Sequence, residues 1–280
     1  NKLFETFGKN TLTIKLQVEY ADFLTFSKNQ PNQANAVLEE ALSYANSKFD
    51  KARITLKLGD VLVFTNKFNK ALIYFSQIQT LLKNHQLGHE ARFKVAQTSY
   101  FKGDFDWAKA QLKVLKSSTT QLIANDAVNL FLKISDNEPV DSIPSGLKQL
   151  AKAELLAFQN KDNEALAELN NLITSKDILI NGLIPGEVIY DDVYFFRAKL
   201  FIKQKKYAAA ISDLEKIVAA DNQGFLTDDV YFMMAEIYKN YLNDIEKAKK
   251  YYQKIIFEQT SSIYLVDARK NFRKLRGDTI

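Results

Sequence analysis

The chain has 280 residues, 46% hydrophobic and 25% charged, enough apolar material for a core and an ordinary charged surface, which excludes a disordered polymer. Its 38 basic residues against 33 acidic ones leave a formal charge of +5, a balance that does not make nucleic acid the expected partner. The absence of cysteine excludes disulfides, thiol nucleophiles and Cys-ligated zinc, and 9 Gly with 4 Pro are too few for the turns of an all-β fold.

No apolar run reaches the roughly 18 to 20 residues that cross a bilayer, so no transmembrane segment is expected, while peripheral membrane contact stays open. The sequence starts at Asn1 without Met or an apolar leader and reads as a trimmed or mature chain. A signal peptide, lipid anchor or further repeats ahead of Asn1 are not legible.

From the N-terminus, Leu12 to Phe26 and Ala34 to Ala45 predict a helix pair joined through Asn29-Gln30-Pro31-Asn32. A second pair carries Leu58-Gly59 and Leu62 in its first helix and Ala71, Phe75 and Ile78 in its second. The third runs from Val95-Ala96 through Gly103-Asp104-Phe105 to Ala108, Leu112 and Leu115. Ala34, Ala71 and Ala108 are 37 residues apart, and small residues at such intervals mark where two helices approach to about 8 to 10 Å. The single Trp107 stands beside Ala108, a place that predicts a packing role.

A helix near Thr120 to Ser135 follows, and the Pro- and Ser-containing stretch near 136–146 predicts a loop. Ala153, Leu156, Ala165 and Leu169 give a weaker pair, and a second irregular break falls near 176–186, with Asn181-Gly182 and Pro185-Gly186. The clearest repeat comes next: Asp191-Asp192-Val193-Tyr194-Phe195 recurs letter for letter as Asp228-Asp229-Val230-Tyr231-Phe232, again 37 residues on. Tyr194, Ala198, Phe201, Tyr207, Ala210 and Leu214 define one unit. Tyr231, Met234-Ala235, Tyr238, Ala248 and Tyr252 define the last, with one extra residue in its turn. The stretch 261–276 predicts a capping helix with Ile263, Val266 and Phe272 toward the stack and Arg269, Lys270, Arg273 and Lys274 toward water.

These units resemble tetratricopeptide repeats, whose pattern is a bulky residue, Leu-Gly or a substitute, a Tyr, and later Ala and Phe. The family Trp is absent from its slot, the closing Pro is mostly lost, and 37 exceeds the family's usual period of about 34. The resemblance implies an all-α, right-handed superhelical solenoid of antiparallel helix pairs, here read as one solenoid over 1–280. It also implies a concave groove lined by the first helix of each pair.

His85 and His89 have the spacing of two ligands on one helix face, but Gly88 and the position between two repeats favour a turn, and no third ligand stands out. Gly59 and Gly103 are explained by their repeat positions and do not form a phosphate loop. The Asp191-Asp192 and Glu39-Glu40 pairs fit helix starts, where carboxylates complement the dipole. No catalytic residue, metal or cofactor is expected, and the chain is read as not an enzyme.

The groove that the resemblance implies takes Phe93, Gln97 and Tyr100 from one unit, Phe195, Phe196, Lys199 and Lys203 from another, and Phe232, Glu236 and Lys239 from the last. Places where some members of the family clamp a carboxylate tail hold Asp60, Gln97, Glu154 and Glu236, which disfavours that ligand. Arg269, Lys270, Arg273 and Lys274 concentrate positive charge near the C-terminal end, suited to an acidic protein or anionic headgroups. The run from Ile255 to Glu258 and Ser262 to Arg269, with Leu275-Arg276-Gly277-Asp278, is similar to the closing segment of bacterial envelope tetratricopeptide proteins. That implies a periplasmic or outer-membrane scaffold, with a cytoplasmic one as the alternative. The function read from all this is a non-catalytic adaptor that binds a protein or peptide, and the alternative is a spacer in a larger assembly that interacts through its ends.

Overall fold

The computed structural model describes residues 2–115, 121–138, 146–174 and 187–278. Within them the chain is helical and no strand occurs. The first elements are α1 (Lys2–Phe7), α2 (Ile14–Asp22, prolonged by a wider turn Phe23–Ser27), α3 (Pro31–Tyr44), α4 (Lys48–Phe64), α5 (Phe68–Leu81), α6 (Gln86–Lys102) and α7 (Phe105–Leu115). They are followed by α8 (Gln121–Asp136), α9 (Leu147–Phe158), α10 (Asp162–Thr174), α11 (Glu187–Lys203), α12 (Tyr207–Ala220), α13 (Thr227–Asn240), α14 (Ile245–Glu258) and α15 (Leu265–Arg276). The expected break at 176–186 and most of that at 136–146 lie outside the described residues. The chain packs as two compact units, Asn1–Glu168 and Leu169–Ile280.

In the first unit each helix pair closes on its alanine. Ala34, Ala71 and Ala108 are fully buried, and each lies against the bulky residue one turn later, Leu38, Phe75 or Leu112, which is also fully buried. Gly59 marks the tightest approach of α4 to α5, because a Cβ there would sit 2.2 Å from the ring of Phe75. The second unit repeats the device: Ala198 with Ala210 and Leu214, then Ala235 with Ala248 and Tyr252, share one continuous core.

Every described turn from the first to the second helix of a pair contains one residue in the left-handed region. These are Asn29 (φ 53°), Asn66 (φ 60°), Gly103 (φ 82°), Asn160 (φ 59°), Lys205 (φ 60°) and Asn243 (φ 52°). After Asn66, Gly103, Asn160 and Lys205, the N–H of the next residue donates to a carbonyl five residues back, at 2.7 to 2.9 Å. The turns at Asn29 and Asn243 reach six residues back, Gln30 to Leu24 and Asp244 to Tyr238, because each holds one extra residue. Asn and Gly tolerate this conformation, whereas Lys205 adopts it against a side-chain clash.

The helices α9 and α10, which the sequence marks as a weaker repeat, have the same turn and buried alanines, Ala153 and Ala165. They do not simply stack on their predecessor, as nearest-neighbour repeats do. Phe158, at the end of α9, packs against Phe26, Phe64 and Phe101, at the C-terminal ends of the α2 segment, α4 and α6, with ring centroids 5.1 to 6.5 Å apart. Gln159 Nε2 donates to Asn66 Oδ1 at 2.7 Å, and Asn160 Nδ2 donates to the Phe26 carbonyl at 2.6 Å. Thus α9 ties together the ends of three earlier first helices.

Two sequence expectations are corrected. Trp107 is 56% exposed, because as the residue before Ala108 it projects about 100° around α7 from that buried position. In the C-terminal helix, Ile263 and Val266 are exposed, and the contacts to the core come from Ala268 with Tyr264, Phe272 and Leu275. The helix starts at Leu265, later than expected, so Ile263 precedes it, and within it Val266 stands about 160° from the buried Ala268 while Phe272 and Leu275 share the side of Ala268.

Replacing Lys205 by Gly removes the left-handed clash and is expected to raise unfolding stability by about 0.5–1 kcal/mol in urea titration. Gly59→Ala, which drives a methyl into a fully buried ring, is expected to lower it by roughly 1–3 kcal/mol in the same assay.

Candidate interaction surfaces

The first-helix face of the unit Asn1–Glu168 is a ladder of charges. Lys57 on α4 bridges Asp22 (2.5 Å) and Asp60 (3.1 Å), and Asp60 also holds Lys94 of α6 at 2.8 Å. Burial works against the Lys57 ammonium, but the two carboxylates outweigh it and raise its pKa. Burial likewise raises Glu90, next to Lys94. Glu154 of α9 pairs with Lys133 of α8 at 2.5 Å. Phe93 and Gln97 are half-buried on α6, and Tyr100 is fully buried between Phe101 and Phe105, a core residue where an exposed groove residue was expected. This face is largely engaged by the chain itself.

The unit Leu169–Ile280 is arranged differently. On α11, Lys199 and Lys203 are exposed one turn apart, and the Lys199 ammonium lies 4.1 Å from the centroid of the Phe195 ring beneath it. Phe195 itself is buried at 9% exposure, so it supports the surface from below, while Phe196 is half-buried. Arg197 turns the other way, placing Nε and Nη2 each 2.7 Å from the buried Asp213 carboxylate of α12.

On α13 the corresponding row is closed over by α14 and the segment leading into α15. Phe232 stacks on Tyr264 (4.4 Å, 14°), whose hydroxyl donates to Asp229 at 2.7 Å. Glu236 accepts from Lys239 (2.7 Å), Asn240 (2.7 Å), Asn271 (3.4 Å) and the Tyr252 hydroxyl. Burial alone would raise the Glu236 pKa, but the donors from Lys239, Tyr252 and Asn240 outweigh it and the net shift is downward. Asp229 goes the other way: burial raises it, and the Tyr264 hydroxyl only partly compensates. On α15, Arg269, Lys270, Arg273 and Lys274 are all exposed.

The structure therefore brings Lys199 and Lys203 to the surface beside Phe196, and gathers Phe232, Glu236 and Lys239 into a contact with α14 and α15. Tyr264, Asn271 and Asp229 complete that contact; Asp229 reads in the sequence only as part of the duplicated Asp-Asp-Val-Tyr-Phe, and Tyr264 and Asn271 lie outside the repeated positions that mark a crossing. Exposed apolar side chains also escaped the sequence reading: Ile73 and Leu81 on α5, eight residues apart, and Trp107 and Val114 on α7, seven apart. Among the described residues no group of three His, Asp or Glu side chains is placed to hold a metal ion. His85 caps α6, its Nδ1 accepting from the Leu87 N–H at 3.1 Å.

Comparison with known families meets this geometry at the repeated pair. A tetratricopeptide-repeat profile matches residues 191–223, and another of the same family matches residues 229–256. The chain therefore carries two tetratricopeptide repeats, over residues 191–223 and 229–256. Repeats of this family support a protein-interaction scaffold as the general function. Among solved structures, this repeat protein is similar to the tetratricopeptide-repeat domain of P58(IPK), with 15% identity and a TM-score of 0.36, covering 94% of this chain and 64% of that one. It is similar also to a tetratricopeptide-repeat protein from Parabacteroides merdae, with 15% identity and a TM-score of 0.36, covering 95% of this chain and all of that one. The present chain thus spans less than two thirds of the P58(IPK) chain. No curated protein matches it.

Within the last repeat, Tyr264→Phe removes a donor from Asp229 and should raise that carboxyl's pKa further. A carboxyl raised above its unfolded value favours folding below that value, and the advantage is lost as pH rises through the folded pKa. The variant is therefore expected to lose about 1–2 kcal/mol near pH 7 and much less below pH ~4, read by urea unfolding at both.

Proposed function

We propose that the chain is a non-catalytic adaptor that holds a protein or peptide partner on the α11 side of the unit Leu169–Ile280, through Lys199, Lys203 and the half-buried Phe196. The observation that carries this is the exposed basic and aromatic face of α11. Lys199 and Lys203 are exposed one turn apart on α11, with the Lys199 ammonium 4.1 Å from the centroid of the Phe195 ring and Phe196 half-buried on the same side. Cations on apolar stems beside a half-buried aromatic suit a segment that offers carboxylates and an apolar side chain. Asp60, Glu154 and Glu236, each held by cations of this chain, disfavour a carboxylate-tail clamp.

A spacer that acts through its ends is the second reading, favoured by the exposed Ile263 and Val266. Photo-crosslinking residues placed at Lys203, at Ser212 on α12 and at Arg273 on α15 separate the two in cells of the source organism. The adaptor predicts a discrete protein adduct from position 203 and none from 212, with about a tenfold affinity loss in Lys199→Glu/Lys203→Glu. Adducts from position 273 alone would replace it with the spacer.

A further inference from the structure

The helix α15 and the turn before it carry a surface that the adaptor reading does not use. Within Leu265–Arg276 there are five cations, Arg269, Lys270, Arg273, Lys274 and Arg276, against one carboxylate, Asp267. Arg276 pairs with Asp278 just beyond the helix, and Asp278 is also close enough to Arg273 to feel its charge. At about 100° per residue, Arg269, Arg273, Lys270 and Lys274 fan over an arc of roughly 140° on the side opposite the buried Ala268.

Apolar side chains stand within this basic field. Val266 falls inside the same arc and is 74% exposed, Ile263 in the preceding turn is 72% exposed, and Phe257 in the last turn of α14 is 73% exposed. Lys250, exposed two turns before Phe257, shares its side of α14. Single exposed apolar residues are ordinary on a protein, but here three large ones fall within ten residues, between the cations of α14 and those of α15.

We propose that the α14–α15 tip binds peripherally to a bilayer surface containing anionic lipid, with Phe257, Ile263 and Val266 entering the headgroup layer and Arg269, Lys270, Arg273 and Lys274 meeting lipid phosphates. Charge complementarity selects an acidic surface, and the apolar component selects among acidic surfaces. Side chains exposed above 70% protrude. A protein must offer pre-shaped pockets for three such groups, whereas a fluid headgroup layer admits them where they are and lets the long basic stems reach the phosphates. No helix among the described residues is long and apolar enough to cross the membrane, so the contact is one of adsorption.

Sedimentation of the intact chain with phosphatidylcholine vesicles, with and without phosphatidylglycerol, tests this at low and high salt. Binding is expected only to the anionic vesicles, weakening about tenfold or more as salt rises past the screening range. Replacing the four cations by Gln (R269Q, K270Q, R273Q, K274Q) should weaken it about tenfold or more, and F257S/I263S/V266S should do the same with charge unaltered. All seven side chains are exposed, and circular dichroism checks that helicity is kept. Independently of those variants, V266W in a W107F background should show blue-shifted emission on anionic vesicles alone. No sedimentation at low salt, or no emission shift, overturns the proposal. Undiminished binding by the triple Ser variant also overturns it, in favour of an acidic protein or nucleic acid held by charge alone.

Discussion

The close approach of two helices at an alanine is the constraint on which the rest of this molecule depends. Ala34, Ala71, Ala108, Ala153, Ala165, Ala198, Ala210, Ala235 and Ala248 are all fully buried. A larger side chain at any of them would hold the helices apart, and the bulky neighbours that fill the grooves would lose contacts that are individually small and collectively large. Gly59 takes this to its limit, since even a methyl group there overlaps Phe75.

Close packing needs the chain to reverse within a few residues, and the left-handed residue at each turn supplies the reversal. That residue lets the next N–H reach back and satisfy a carbonyl that the helix end would otherwise leave open. Turn and crossing therefore reinforce one another: the turn sets where the second helix begins, which decides whether its alanine meets the first helix. The extra residue at the α13 turn is absorbed by a longer hydrogen bond, and Ala248 still reaches its buried place.

Function follows from what this packing leaves outside. Crossings consume the apolar side of every helix, so the available chemistry is whatever stands on the remaining faces. Around α4 and α6 it forms ion pairs within the chain, around α13 it makes contacts with Tyr252, Tyr264 and Asn271, and on α11 and α15 it includes exposed lysine and arginine. Partner binding through α11 and membrane adsorption through α15 use different helices of the unit Leu169–Ile280 and draw on the same surplus of positive charge.

The sequence by itself determined the repeat: alanine spacing, the duplicated Asp-Asp-Val-Tyr-Phe and the extra turn residue were legible because helix crossing depends on side-chain size, a local and periodic property. Asn29, Asn66 and Gly103, also 37 residues apart, were a further mark of the same kind. Only the tertiary structure decided which inner residues are accessible. Tyr100 and Phe195 read as groove residues and are buried, Ile263 and Val266 read as packed and are exposed, and Phe158 reaches Phe26 across more than a hundred residues. These outcomes depend on the direction a neighbouring element takes, which is set by contacts between residues far apart in the chain and leaves no periodic trace in either partner.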